Sequence, residues 1–375
     1  MDRIAETYVK LVLALGQHDA DYVDAYFGPE AWRGEAESEQ LGLEEIRSRA
    51  QAALSRLAAL APPADDPLGL PRHVHLLRSL EALIARIDLL AGVEMSFDEE
   101  ALSLYDAEPP SFPEAHFQAI LDRLEERLPG EGPLIGRYEA FRQAFVIPSE
   151  QLDAVFTAAI EACREKTLEH IELPPEESFT VEYVTDKSWS GYNWYQGDYK
   201  SLIQVNTDLP IYIDRALDLA CHEGYPGHHV FNVLIERQLF KGRGWIEYAV
   251  YPLFSPRSLI AEGTANFGIE VAFPAEERLE LERRVLFPLA GLDPERAADY
   301  YEVQELVKRL SYAGNEAARR YLEGEIGAEA AASWLTTYAL MPPARAEQRL
   351  RFIDQYRSYV INYNLGQDLV RGWVE

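Results

Sequence analysis

The sequence predicts a mainly α, multi-helix protein carrying one small β-element near residues 179–213. Two observations support this. Apolar residues recur at helical spacing over most of the 375 residues, and β-branched and aromatic residues concentrate in a single stretch, Phe179 to Ile213. The chain is long enough, and at 47% hydrophobic apolar enough, to bury a large core. It reads as a single mainly helical domain over 1–375, or as two lobes, 1–175 and 176–375.

Taken in order, Ile4, Tyr8, Leu11 and Leu15 lie on one face of a first helix. Asp2, Glu6 and Lys10 interrupt that segment, so it lacks the basic start and unbroken apolar block of a signal peptide. No window approaches the ~18 apolar residues of a membrane span, and the expected compartment is the cytoplasm. Helices follow at 42–62 and 74–92, separated by Pro62, Pro63, Pro67 and Pro71. Another begins near Pro113. Ser149 is the expected N-cap of a long helix reaching about His170, with Leu152, Val155, Phe156, Ala159 and Cys163 on one face. Strands are expected at 179–185 and 201–207, with Trp189, Tyr192, Trp194, Tyr195 and Tyr199 around a turn between them. Helices resume at Asp214, with breaks at Pro256, Pro274, Pro288 and Pro342-Pro343.

Composition excludes several classes. With 35 Lys+Arg against 63 Asp+Glu, the formal charge is −28. That argues against nucleic acid and anionic membrane surfaces as partners. It also disfavours anionic substrates unless arginines line the cleft. Cys163 and Cys221 are the only cysteines, too few for a disulfide framework or a cysteine-based zinc module. Oligomeric state is not readable from the sequence.

Three of the eight histidines cluster in His222-Glu223-Gly224-Tyr225-Pro226-Gly227-His228-His229. A hydrolytic metal site needs two imidazoles, a third ligand, and a carboxylate beside but not on the ion. The common H-E-x-x-H spacing fails here because position 226 is proline. On an ideal helix His222 and His228 would point roughly 120° apart, and His222 and His229 would sit about 10 Å apart along the axis. A distortion at Pro226-Gly227 is therefore required. On spacing alone, a metal site and a hydrogen-bonded, histidine-rich helix end both remain open.

His222-Glu223-x-x-Pro226-Gly227-His228 resembles the H-E-x-x-P-G-H signature of the DUF885 family, related to gluzincin-type metallopeptidases. Glu262-Gly263-Thr264-Ala265-Asn266-Phe267 resembles that family's second motif, Glu-Gly-Trp-Ala-Leu-Tyr, with Thr264 in place of tryptophan. Asp24 to Pro29 and Tyr359 to Gly366 are similar to a shorter branch of it, whereas the C-terminal region departs from the longer members. The resemblance implies a gluzincin-like architecture and a zinc-dependent hydrolase of peptide or small amide bonds. His222, His228 and Glu262 would hold Zn²⁺, and Glu223 would be the general base. Tyr312 and Tyr363, ahead of Tyr359, are the expected donors to the oxyanion. Asn266 would orient a histidine, and His229 would line the pocket or replace His228 as ligand. Arg357, with Arg319 and Arg320, would bind a substrate carboxylate. Strand 201–207 would offer an edge to the substrate backbone. The glycines and alanines around Glu262 would let its helix approach the metal-bearing helix. The competing reading is a non-catalytic metal- or peptide-binding helical protein; the free carboxylate of Glu223 speaks against it.

Overall fold

The periodic segments fold as helices, and the computed structural model describes all of residues 1–375. Helix accounts for 66% of the chain and strand for 8%. The first helix, Asp2–Leu15, buries Ile4, Tyr8, Leu11 and Leu15 as its spacing requires. Helices Leu43–Ala58 and Gly69–Leu90 flank the proline-rich break, and Glu114–Arg127 starts directly after Pro113. Leu152–Leu168 buries Val155, Phe156, Ala159 and Cys163. Its start differs from expectation: Ser149 opens a single 3-10 turn and makes no cap to the helix backbone. No helix is long and apolar enough to cross a membrane.

The β-element holds three strands where the sequence marks two. β1 (Val23–Tyr26) and β5 (Val250–Pro252) form a separate antiparallel ribbon. The main sheet has the order β2 (Ser178–Val184), β4 (Lys200–Asn206), β3 (Gly191–Gly197), with β2 parallel and β3 antiparallel to β4. The aromatic stretch expected to form a turn is thus itself a strand, β3. Its period of two is plain once folded, with Asn193, Tyr195 and Gly197 buried and Trp194 and Gln196 exposed. β4 is the central strand, so the expectation that 201–207 offers a free edge is corrected: both sides of its backbone are already paired. The edge strands are β2 and β3, and of these β3 borders a cavity.

Buried side chains form two cores. The larger joins the N-terminal helices to Val250, Leu253 and Leu259 and to the C-terminal helices through Leu365. The smaller joins Ala25, the helix Leu152–Leu168 and residues 195–300. Neither core stays on one side of residue 175, because both ends of the chain feed the first. The segment between Asp214 and Ala272 runs where the cores meet, and it carries the histidine cluster.

Candidate metal centre

The helix Ile213–Leu219 buries Ile213, Ala216, Leu217 and Leu219. It widens into an i→i+5 turn over Ala220–Gly224, then ends, and a new helix starts at His228. Pro226 has no N–H to continue the ladder. The amide of Gly227 instead donates to the Cys221 carbonyl at 2.9 Å. Only glycine fits there, since a Cβ on Gly227 would lie 1.9 Å from the His222 carbonyl oxygen. The wide turn and the break swing His222 and His228 together, with ring centroids 4.7 Å apart at 89°. Insertions of this kind inside helices recur at functional sites.

The helix Pro256–Ala272 brings Glu262 to the same point. Its Oε2 lies 3.2 Å from His222 Nε2 and 3.6 Å from His228 Nε2. One ligand atom from each of the three residues lies within 4.8 Å of the others. Glu262 Oε2 is buried with no hydrogen-bond partner, while Oε1 accepts from the Tyr359 hydroxyl at 2.8 Å. Asn266 Nδ2 donates to the Tyr363 carbonyl at 2.8 Å, which turns Oδ1 toward His222 Nδ1 at 3.0 Å. His222 Nδ1 therefore carries the proton and Nε2 presents its lone pair toward Glu262. Two imidazole nitrogens and an orphaned carboxylate oxygen fit a divalent cation of borderline softness, such as zinc.

Electrostatics follow from burial and neighbours. Burial disfavours the charged form of Glu262, but His228 and then His222 outweigh it and hold the carboxyl well below its ordinary range. Burial likewise opposes charge on His228, yet Glu262, Glu223 and Asp24 raise it to about 9. A proton and a cation thus compete for the same nitrogen. Glu223 is buried beside the donors without joining them, its Oε1 4.0 Å from His222 Nε2. Burial raises its pKa, and His222 and His228 work against that shift. Asn193 on β3 donates to the Glu223 backbone carbonyl at 2.7 Å, and a Cβ on Gly191 would meet Glu223 Oε1 at 2.9 Å.

The donors open on a cavity of about 1150 Å³ between β3 and the C-terminal helices. Tyr363 lines it, its ring centroid 6.5 Å from that of His222. Tyr312 also borders the cavity, but its hydroxyl is committed to Asp368 at 2.5 Å and touches none of the donors. Tyr359, not Tyr312, is the tyrosine that reaches the triad. His229 lies beneath the site, fully buried, bonded to Ser201 Oγ at 2.8 Å and Glu177 Oε2 at 2.9 Å. Its place as pocket lining or alternative ligand is corrected, because both ring nitrogens are occupied. Arg357 is corrected too: it pairs with Glu100 at 2.7 Å, outside the cavity wall. Arg319 pairs with Asp98 and Glu316, and Arg320 with Glu114. The small residues of the Glu262 helix divide between two neighbours: a Cβ on Gly268 would meet Pro226 at 3.0 Å, and one on Gly263 would meet the Gly366 carbonyl oxygen at 2.3 Å.

Three cavity residues escape sequence reasoning. Asp24 on β1 accepts from the Tyr192 hydroxyl, and burial raises its carboxyl to about 6. The sequence marks it only as the first residue of the segment Asp24 to Pro29 and as a single acid in an otherwise apolar strand, and neither gives it a role. Arg345 and Arg349 complete the wall on the C-terminal side.

No family model matches this chain, and no curated protein does. Two solved structures are similar to it. "The crystal structure of the putative lipoprotein from Colwellia psychrerythraea" is 14% identical with a TM-score of 0.53, covering 93% of this chain and 70% of that one. "The structure of a putative lipoprotein of unknown function from Shewanella oneidensis" is 14% identical with a TM-score of 0.45, covering 92% and 69%. The first shows a shared fold and nothing about activity. These findings overturn the resemblance to the DUF885 family and its gluzincin relatives: membership has no support, and short motifs matching in two places do not establish it. What remains is the geometry of the site.

Proposed function

We propose that this protein is a zinc-dependent hydrolase of peptide or small amide bonds. The observation that carries the reading is one arrangement: His222, His228 and Glu262 converge with an orphaned carboxylate oxygen, and a fourth side chain, Glu223, stands beside them on a cavity wall. A site serving only to hold an ion has no use for that fourth, uncommitted carboxylate. His222, His228 and Glu262 would hold a divalent cation, which would supply Lewis acidity toward a carbonyl oxygen and lower the pKa of water.

The chain's own residues supply the rest. Asn266 holds His222 in the tautomer that exposes Nε2, and Tyr359 holds Glu262 Oε1 so that Oε2 faces the imidazoles. The Glu223 carboxylate takes a proton from water and passes it to the leaving nitrogen. Gly191 and Asn193 fix that side chain and its backbone, and the absence of a side chain at 191 leaves room for Oε1. Tyr363 lines the cavity beside His222, and its hydroxyl is the proposed donor to the substrate carbonyl oxygen. The cytoplasm is the proposed compartment, in keeping with a chain that has only two cysteines, both buried and joined by no disulfide. Cell fractionation tests this against the lipoprotein description that the similar structures carry.

The test combines metal analysis with activity. Purified protein is expected to hold one zinc per chain and to cleave a fluorogenic peptide library, and Glu223→Gln to keep the zinc and lose the cleavage. Cleavage retained at the wild-type rate in Glu223→Gln, or a protein that holds zinc and cleaves nothing, overturns the reading.

A further inference from the structure

The helix Pro343–Tyr356 carries Arg345 and Arg349 one turn apart, and both line the cavity. In a chain with 63 acids and 35 bases, neither has an acidic partner. Arg345 donates to Gln348 Oε1 and, at 3.0 Å, to Ser190 Oγ, both neutral. The charges acting on it most strongly are three other arginines, Arg215, Arg349 and Arg142. Arg349 Nε is buried with no partner, and its guanidinium rests only against the rings of Phe352 at 5.0 Å and Tyr363 at 5.9 Å. Burial lowers the pKa of both side chains, and for Arg345 the neighbouring arginines add to it. The other arginines considered for substrate binding, Arg319, Arg320 and Arg357, are all paired with carboxylates.

Two forked cations left without counter-charge on a cavity wall complement a carboxylate, which accepts parallel N–H bonds from guanidinium. The wall connects to the metal centre on both sides. Arg345 is bonded to Ser190, whose neighbour Gly191 abuts Glu223. Arg349 is 5.9 Å from the Tyr363 ring, and that ring is 6.5 Å from His222. Those two spacings limit Arg349 Cζ and the His222 ring to about 12 Å, the span of three to four extended residues. We propose that Arg345 and Arg349 bind the carboxylate of a short peptide in the cleft, so that the substrate is a peptide whose carboxylate lies within a few residues of the cleaved bond. The assignment of a substrate rests on the hydrolase reading above; carboxylate binding itself does not.

Equilibrium binding to zinc-loaded Glu223→Gln protein tests this without turnover. The probes are mixtures of N-acetylated di- to tetrapeptides of neutral residues, prepared with free C-terminal carboxylates or as C-terminal amides. A third mixture of amides carries one glutamate each. Free acids are expected to be retained at least ten-fold more tightly than neutral amides. Arg345→Gln and Arg349→Gln, each added to that background, should remove the advantage, and Arg349→Lys should restore part of it. Glutamate-bearing amides retained as well as the free acids would assign the carboxylate to a side chain; retention of the free acids alone assigns it to the C-terminus. Equal retention of free acids and neutral amides, including none of either, overturns the proposal, as does an advantage that survives both glutamine variants. Free acids that bind selectively but are not cut by the wild-type protein leave the carboxylate site standing and refute the hydrolase.

Discussion

Zinc added to chelator-treated protein is expected to raise its melting temperature, and Glu262→Gln to abolish the rise. An ion at one hundred times its Kd stabilises the native state by about 2.7 kcal/mol. Unfolding entropy near 2.1 cal/mol/K per residue, over 375 residues, amounts to about 0.8 kcal/mol/K. The expected shift is therefore about 3 °C, small but resolvable by calorimetry at matched protein concentration. Glu262→Gln keeps the shape of the side chain and an oxygen for the Tyr359 hydroxyl, but removes the charge that faces both imidazoles. The shift should fall below about 2 °C at the same zinc concentration, the mark of a tenfold or greater loss of affinity by the same linkage. A full shift in Glu262→Gln, with His228→Ala behaving likewise, would place the ion elsewhere. No shift with zinc or any other divalent cation would refute the centre altogether.

Gly227→Ala must move the His222 carbonyl, 1.9 Å from the added Cβ. It should cost more than the ~1–3 kcal/mol of ordinary overpacking and abolish the zinc shift, both read in the same melts. Gly263→Val should force the Glu262 helix off Gly366, lowering the melting temperature by several degrees while leaving zinc stoichiometry measurable in the folded fraction. Glu177 carries a pH prediction. Burial would raise its carboxyl, but hydrogen bonds from His229, Tyr225 and Arg164 lower it from 4.5 to about 2. Because the folded value lies below the unfolded one, Glu177 contributes stability that is present above about pH 4.5 and lost as pH falls toward 2. Glu177→Gln should flatten the fall of melting temperature between pH 5 and 2, and an unchanged slope would exclude this cluster as an acid-sensitive element.

Residues that act with near neighbours were readable before folding. The helices follow from apolar spacing, and the break at Pro226-Gly227 follows from a missing N–H and a missing Cβ. β3 was hidden because its aromatics alternate between core and surface only relative to β4, its partner in the sheet. The arginines show the limit most clearly. Arg357 and Arg349 look alike in sequence, but a glutamate 257 positions from Arg357 neutralises it, and nothing does so for Arg349. Tyr312 and Tyr359 divide the same way, one hydroxyl bound to Asp368 and the other to Glu262.

By itself the sequence determined a mainly helical chain, the need for a distorted turn between His222 and His228, and which residue types there can hold a cation or move a proton. Those properties are local, set by backbone chemistry and by side chains within a few residues of one another. Only the tertiary structure decided that Glu262 leaves an orphaned oxygen facing both imidazoles, that His229 is withdrawn by Ser201 and Glu177, and that Arg345 and Arg349 stand on the cleft wall without a carboxylate partner. Burial and pairing are properties of the space around a group, and distant parts of the chain fill that space only when it folds.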